Sequence, residues 1–495
     1  MNYKFKFEKK SPESLGISSA GIEKFIDKLE KYGLTMHSVM IMRHGKIAAE
    51  GYYKPFDADF KHRMYSISKT FTSLAVGMLC DRGLVSLDDK IMKFFPDMEK
   101  HSVHPYIAET TVRDLLTMST PFSDCSYLLS PGKEWTESFF TTKPQKPAGT
   151  VFLYDTSGTY ILDVIVERIT GKTFLQYIMD NGLCELGFSE DAWCVKAPDG
   201  CAWGGSGVIC TLRDLALFTL VFTGGGKVGE KRIVSEQYIT EAVSKQVDNE
   251  ETGHRTYGNA GYGYKVWVTI DGGFAFLGMG GQLMFYDRKK DIIFLCNADC
   301  QGYSSAYALI YECLYGCIID EASNNALAEN AQAYESLEKR LCNLELLKPV
   351  GAVKSDISKE VSGRCYTLSE NPMGIKKLSV EFSENSGILK YENARGEKEI
   401  RFGLGEYVFG EFPETDYSGK KIGEPLGRGY RCGAAGVWGF DNSFKIYVKI
   451  IDDYFGNLVI NLGFKGDEIG VFMHKTAEWF LDDYQGFAGG RDNAS

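Results

Sequence analysis

The chain is 495 residues long, 44% hydrophobic, 24% charged and 13% aromatic, a composition that excludes a disordered or fibrous protein. Its length exceeds one ordinary core and points to two or three domains. The net charge of -11, with no basic cluster to offset it, argues against a nucleic-acid partner.

The N-terminal stretch MNYKFKFEKKSPESLGISS alternates charge with aromatics and has no apolar run of the kind a signal peptide or membrane span requires. Thirteen cysteines scattered from Cys80 to Cys432 read as reduced thiols rather than a disulfide framework. A cytoplasmic protein, away from membranes, is the expectation. SSAGIEKFIDKLEKYG has a serine cap, apolar Ile22, Phe25, Ile26 and Leu29, and Gly33 as a stop, the pattern of an amphipathic helix. HSVMIMRHGKIAAEGYY is two apolar runs around His44-Gly45, a hairpin. From Ser66 to Arg82, Ile67, Phe71, Leu74, Ala75, Met78 and Leu79 keep helical period on more than one side, which predicts a central, buried helix.

Residues 105–235 are mostly helical in pattern, and strands return at GYGYKVWVTI, GGFAFLGMGGQLMFYD and DIIFLCNAD. One antiparallel sheet drawn from the first hairpin and these strands, flanked by helices, gives an α+β domain over residues 1–325. The polar run EASNNALAENAQAYESLEKRLCNLELLKPVG reads as a helical linker, 326–350. Short alternating strands then predict an all-β domain, sandwich or small barrel, over 351–495.

S-x-x-K occurs at Ser66, Ser130, Ser336 and Ser418, but only Ser66 opens a buried-looking helix. An offset of three places Ser66 and Lys69 on one helical face, their Cβ atoms roughly 5–6 Å apart, and a helix N-terminus favours negative charge developing there. A lysine with its usual pKa near 10.4 is neutral in only about one molecule in 2,500 at pH 7, so Lys69 serves as a base only if burial lowers that value. The plain alternative is a capping serine beside a solvated lysine.

Tyr154, after a Gly-Thr turn and ahead of a helix, is a candidate proton shuttle; a satisfied core tyrosine is the other reading. Glycines 278, 280 and 281 in a strand pattern suggest close backbone approach. N–H groups there, with that of Ser66, could form an oxyanion hole; a bulge or packing glycine accounts for the pattern equally.

Four ordered blocks, MYSISKTFTSLAVGMLCDRGLVSLDD, PAGTVFLYDTSGTYILDVIVERITGKTFLQYI, WGGSGVICTLRDLALFT and LGMGGQLMFYDRKKDIIFLCNAD, resemble the serine beta-lactamase-related hydrolases over roughly residues 10–320. That superfamily includes class C beta-lactamases, DD-peptidases, esterases and 6-aminohexanoate-dimer hydrolases. The resemblance implies a beta-lactamase/transpeptidase-like fold, Ser66 as nucleophile, Lys69 as base, Tyr154 as proton relay and the N–H groups of Ser66 and Met279 as oxyanion hole. It implies a small ester or amide as substrate, and neither metal nor organic cofactor. Thr156 stands where the family's Y-x-N element has asparagine. Phe276-Leu277-Gly278 stands where a K-T-G or H-x-G strand motif would bring a cation, which weakens a beta-lactamase or peptidase reading. Gly278, Gly281 and Gln282 continue as G-x-x-G-Q, as in the esterase and nylon-oligomer-hydrolase branches. Thr156, Phe276, Gly278 and Gln282 are therefore the expected substrate contacts. A catalytically silent, ligand- or partner-binding homologue remains an alternative, and Ser123 in an S-D-C triplet is a rival nucleophile.

GGGKVG at Gly224 follows a helical segment and reads as a turn, not a dinucleotide site. His101/His104 and the pairs Cys296/Cys300 and Cys313/Cys317 lack partners that would close a zinc site.

Overall fold

In a computed structural model describing residues 4–249, 260–269, 272–415, 427–440, 442–478 and 480–493, the chain divides into two units between Leu346 and Leu347. The first is built on one six-stranded sheet. Ser18 accepts the N–H of Gly21 and starts α1 (Ser19–Lys31), which buries Ile22, Phe25, Ile26 and Leu29. The hairpin follows as β1 (Met36–Arg43) and β2 (Lys46–Tyr52). Its two turn residues, His44 at φ 52° and Gly45 at φ 70°, are both left-handed, the twist a two-residue hairpin needs.

The central helix, α2 (Ser68–Asp81), is buried at every position from Ser68 to Leu79. Its polar residues all find partners: Ser68 accepts the Val208 N–H at 2.9 Å, Thr70 donates to the Lys265 carbonyl at 2.9 Å, and Thr72 donates to Asp163 at 2.6 Å. A helix enclosed on all sides tolerates hydroxyls only when they are bonded in this way. Two further helices, α3 (Thr156–Thr170) and α4 (Leu212–Thr223), lie between the hairpin and the returning strands in sequence.

Those strands are β3 (Trp267–Val268), β4 (Phe274–Gly278), β5 (Gln282–Asp287) and β6 (Ile292–Ala298). The sheet order is β2-β1-β6-β5-β4-β3, with every neighbouring pair antiparallel. Both ends of the segment thus contribute to one sheet. One face is covered by α1 and by α5 (Ala306–Leu314), with Phe25 set edge-on to Phe294 at 5.3 Å. On the other face Phe276 packs against Phe218 and Phe222 of α4, and Phe218 stacks on Phe71 of α2 at 3.7 Å. Each such ring removed from water contributes about 1.5–3 kcal/mol.

The 326–350 segment is not a free linker. Its helix, α6 (Ala331–Cys342), buries Leu337 and Leu341, and these residues and Leu344 belong to the core that includes α1 and the sheet. Gly51 makes room for it, since a Cβ there would come within 2.8 Å of Leu341 and Leu344. Arg340 adds an ion pair to Glu30 of α1. The polar composition of α6 describes its outer face only.

The second unit is a barrel. Among the described residues, nine antiparallel-laddered strands between Cys365 and Asp492 close through a parallel contact of Gly403 with Ala435 and Leu404 with Gly436, while a tenth, Val408–Phe412, pairs outside the ring. Phe444, Ile446, Val448 and Ile450 point inward and alternate with more exposed neighbours, as barrel closure requires. All thirteen cysteines are free thiols. Among the described residues no helix is long and apolar enough to cross a membrane.

Candidate active site

The chain reaches Ser66 through a backbone that departs from ordinary geometry. Tyr65 has φ 47°, left-handed for an aromatic residue, and opens a short 3-10 turn, Tyr65–Ile67, that runs into α2. Arg63, fully buried, holds this approach: its guanidinium donates to the carbonyl and hydroxyl oxygens of Ser206 at 2.9 and 3.1 Å and lies over the rings of Tyr65 and Trp203. Ser66 itself is half-buried.

One residue into α2, Lys69 is 1% exposed. Its Nζ donates to Ser66 Oγ at 2.9 Å and to the Gly205 carbonyl at 2.6 Å. Close packing around Gly204 and Gly205 accompanies the second bond: a Cβ on Gly204 would lie 2.1 Å from Thr72 Oγ1, and one on Gly205 would lie 2.3 Å from Thr156 Cγ2. The role of this Trp-Gly-Gly loop was not apparent in the sequence, where nothing marks a backbone carbonyl as a partner.

Tyr154 is half-buried, with its ring centre 5.0 Å from Lys69 Nζ and stacked on Trp267 at 5.7 Å. The next residue fixes it in place. Asp155 caps α3, accepting the N–H and hydroxyl of Ser157 at 2.7 and 2.6 Å and the Thr120 hydroxyl at 2.6 Å. Thr156 then presents its methyl to Gly205, so it lines the same corner as Lys69.

The strand β4 closes the other side. Gly278 passes so near the turn that carries Ser66 that a Cβ would stand 2.3 Å from the Met64 carbonyl oxygen. Beyond it, Met279 is 39% exposed and Gly280 and Gly281 turn the chain with φ 80° and 95°. The Tyr307 hydroxyl donates to the Gly278 carbonyl.

Two expected substrate contacts are corrected. Phe276 is 1% exposed and its ring lies in the aromatic cluster with α4, because strand alternation sends it to the sheet face covered by that helix. Gln282 is fully buried, donating to the carbonyls of Met279 at 2.9 Å and Ala298 at 2.8 Å and accepting the Ala298 N–H at 3.1 Å. It pins the Met279–Gly281 turn to β6 and offers nothing to a ligand.

Two charged residues absent from the sequence expectations sit beneath this corner. Asp163, buried, accepts from Thr72 at 2.6 Å and from the Gly204 N–H at 2.8 Å, and burial raises its pKa well above the usual carboxylate range. Lys265, 2% exposed, is lowered to about 7 by burial and then by the charge of Lys69. A lone lysine in the apolar pattern GYGYKVWV was the available signal.

The other serines of the S-x-x-K pattern are elsewhere occupied: Ser130 bonds Thr142 and Ser336 bonds Glu23, while Ser418 lies outside the described residues. Ser123 is exposed and its Oγ accepts the Gln145 amide at 2.8 Å. His104 caps a short helix through the Tyr106 N–H. Among the described residues no group of three or more His, Cys, Asp or Glu side chains could hold a metal ion.

Comparison with known proteins bears on this geometry. The Beta-lactamase family model matches residues 22–303, more than half of the chain. The sequence is 24% identical over 278 residues to the 6-aminohexanoate-dimer hydrolase of Paenarthrobacter ureafaciens, covering 51% of this chain and 70% of that protein. It is 24% identical over 249 residues to an acyltransferase of Penicillium decumbens, covering 39% of this chain and 59% of that one. Among solved structures, a putative 6-aminohexanoate-dimer hydrolase from Bacillus anthracis superposes with TM-score 0.51 at 17% identity, covering 62% of this chain and 87% of that chain. A penicillin-binding protein homologue from Caulobacter crescentus gives 0.50 at 13% identity, covering 63% and 99%.

Proposed function

The chain belongs to the beta-lactamase family, and from that membership we propose that it is a serine hydrolase of small esters or amides working through an acyl-enzyme. The observation that carries this reading is the buried Lys69 amine 2.9 Å from Ser66 Oγ. Ser66 Oγ attacks the substrate carbonyl and its proton passes to Lys69. The N–H groups of Ser66 and Met279 receive the oxyanion. As the carbonyl re-forms, the bond to the leaving oxygen or nitrogen breaks, and Lys69, relayed through Tyr154, protonates that atom. Water then attacks the acyl-enzyme with the same groups acting in reverse, releasing the acid.

The similarity to a 6-aminohexanoate-dimer hydrolase supports hydrolysis of a small acyl compound. The test is intact mass spectrometry after incubation with a fluorophosphonate and with a panel of esters, amides and beta-lactams. A single adduct on Ser66, lost in Ser66→Ala and retained in Ser123→Ala, is expected. An adduct that persists in Ser66→Ala removes the mechanism.

A further inference from the structure

Asp163 is a buried acid that the mechanism above leaves without a task. It lies in the apolar stretch TYILDVIV of α3 and is 1% exposed, where a carboxyl group is costly unless it is hydrogen-bonded. Its two oxygens serve two different elements. Oδ1 accepts the Thr72 hydroxyl of α2 at 2.6 Å, and Oδ2 accepts the Gly204 N–H at 2.8 Å.

Gly204 precedes the residue whose carbonyl, that of Gly205, receives Lys69 Nζ at 2.6 Å. Other N–H groups of this turn stay within the backbone: that of Trp203 donates to the Val195 carbonyl at 2.8 Å, and those of Ser206 and Gly207 donate to the Trp203 carbonyl at 3.1 and 2.8 Å. The Gly204 N–H goes instead to Asp163. Only a glycine admits the carboxyl group this near, since a Cβ on Gly204 would stand 2.3 Å from Oδ1 and 2.7 Å from Oδ2. Thr156 and Asp163 are seven residues apart on α3, two turns along one face, and they meet adjacent glycines: the Thr156 methyl packs on Gly205 and the Asp163 carboxyl binds Gly204. Thr72 lies three residues after Lys69, on the same side of α2. One acid thus joins the helix that carries the amine to the turn that carries the amine's acceptor.

We propose that Asp163 is a positioning residue for the hydrolytic reaction: by anchoring Gly204 it holds the Gly205 carbonyl against Lys69 Nζ and so keeps the amine 2.9 Å from Ser66 Oγ. This rests on the serine-hydrolase reading. Arg63 grips the far side of Gly205 through Ser206, so the carbonyl is suspended between two anchors. The Asp163 anchor needs an acceptor oxygen and not a charge, because a neutral carboxyl group still accepts. Burial, which raises Asp163 well above the usual carboxylate range, therefore leaves the anchor in place.

The experiment is the rate of fluorophosphonate labelling of Ser66 in the full chain, which needs no knowledge of the natural substrate. Wild type, Asp163→Leu, Asp163→Asn and, as a stability control, Leu337→Ala in the core shared with α1 are compared, with rates taken well below the lowest melting temperature. Asp163→Leu keeps the branched shape but offers no acceptor. Its labelling is expected to slow about tenfold or more, part of the roughly 100-fold that an ångström of misplacement costs, since Arg63 still holds Ser206. Asp163→Asn accepts the Gly204 N–H through its amide oxygen and can donate to the Thr72 hydroxyl oxygen, so it is expected to label at close to the wild-type rate. Leu337→Ala is expected to lower the melting temperature and leave labelling unchanged. Wild-type labelling in Asp163→Leu, or a slowing in Leu337→Ala that matches it, overturns the proposal. If Asp163→Leu does not fold, Asp163→Ala, which removes the acceptor without adding volume, takes its place with the same expectations; a loss in Asp163→Asn as large as in the acceptor-free variant overturns the proposal in either case. A wild type that is never labelled at Ser66 removes the serine-hydrolase reading itself, and this proposal with it.

Discussion

Gly278 and Met64 approach so closely that any side chain on the glycine would collide with the Met64 carbonyl oxygen, the hypothetical Cβ standing 2.3 Å from it. That contact ties β4 to the turn carrying Ser66. Gly278→Ala is therefore expected to push strand and turn apart and lower kcat/KM for a p-nitrophenyl ester about 100-fold, the cost of misplacing reacting groups by about an ångström. Steady-state kinetics at pH 8 measure it; wild-type activity in this variant would mean that the strand does not set the geometry of the reacting carbonyl.

Gln282 gives a second test of the same turn. Replacing it by leucine keeps the volume but strands the Ala298 N–H and the carbonyls of Met279 and Ala298, which it now satisfies. Each buried group left without a partner costs about 1–3 kcal/mol, so the urea midpoint of Gln282→Leu is expected to fall clearly. Because the side chain is fully buried, kcat is expected to suffer more than KM. Normal stability with a raised KM would return Gln282 to the substrate surface.

The difference between Gln282 and Lys69 shows what sequence could and could not convey. Ser66 and Lys69 are three residues apart where the 3-10 turn runs into α2, so their spacing made their meeting possible, and the apolar period of α2 implied the burial that the pair requires. The hairpin at His44-Gly45 and the sheet it shares with the later strands were legible for the same local reason. Phe276 and Gln282 were misread because their motif gives residue order, whereas the direction of a strand side chain depends on which face α4 covers. Lys265 and the Gly205 carbonyl reach the site through tertiary packing, with no local spacing to announce them. The polar sequence of α6 concealed its inner face, since Leu337 and Leu341 are few among many charged residues.

A buried imidazole pair predicts how stability responds to acid. His62, 1% exposed, lies 2.8 Å from the Nδ1 of His37 and donates through its own Nδ1 to the Arg63 carbonyl at 3.0 Å. Burial lowers its pKa to about 3, against about 6.5 in an unfolded chain. Between those values the unfolded chain takes a proton that the folded one refuses. Stability is then lost as pH falls from about 6.5 towards 3, by up to about 1.4 kcal/mol per pH unit from this group. Urea midpoints at pH 7, 6, 5 and 4 for wild type and His62→Gln separate this contribution from the rest: the wild-type curve is expected to fall more steeply, and parallel curves would show that His62 protonates as readily folded as unfolded.

The boundary between the two units predicts where the chain can be cut. Leu337, Leu341 and Leu344 are 0%, 5% and 0% exposed within the core shared by α1 and the sheet, and burying each contributes about 1.5–3 kcal/mol. A fragment ending at residue 325 loses all three, uncovers the Gly51 notch on β2 and leaves Glu30 without Arg340. That loss is comparable with the whole stability of an ordinary domain, about 5–15 kcal/mol. A fragment ending at Leu346 keeps them and ends where the division between the units falls. Expressed side by side, 1–346 is expected to be soluble with a cooperative melting transition, and 1–325 to aggregate or melt far lower. Equal melting of the two fragments would mean that α6 adds nothing to the first unit and that the polar segment is a linker after all.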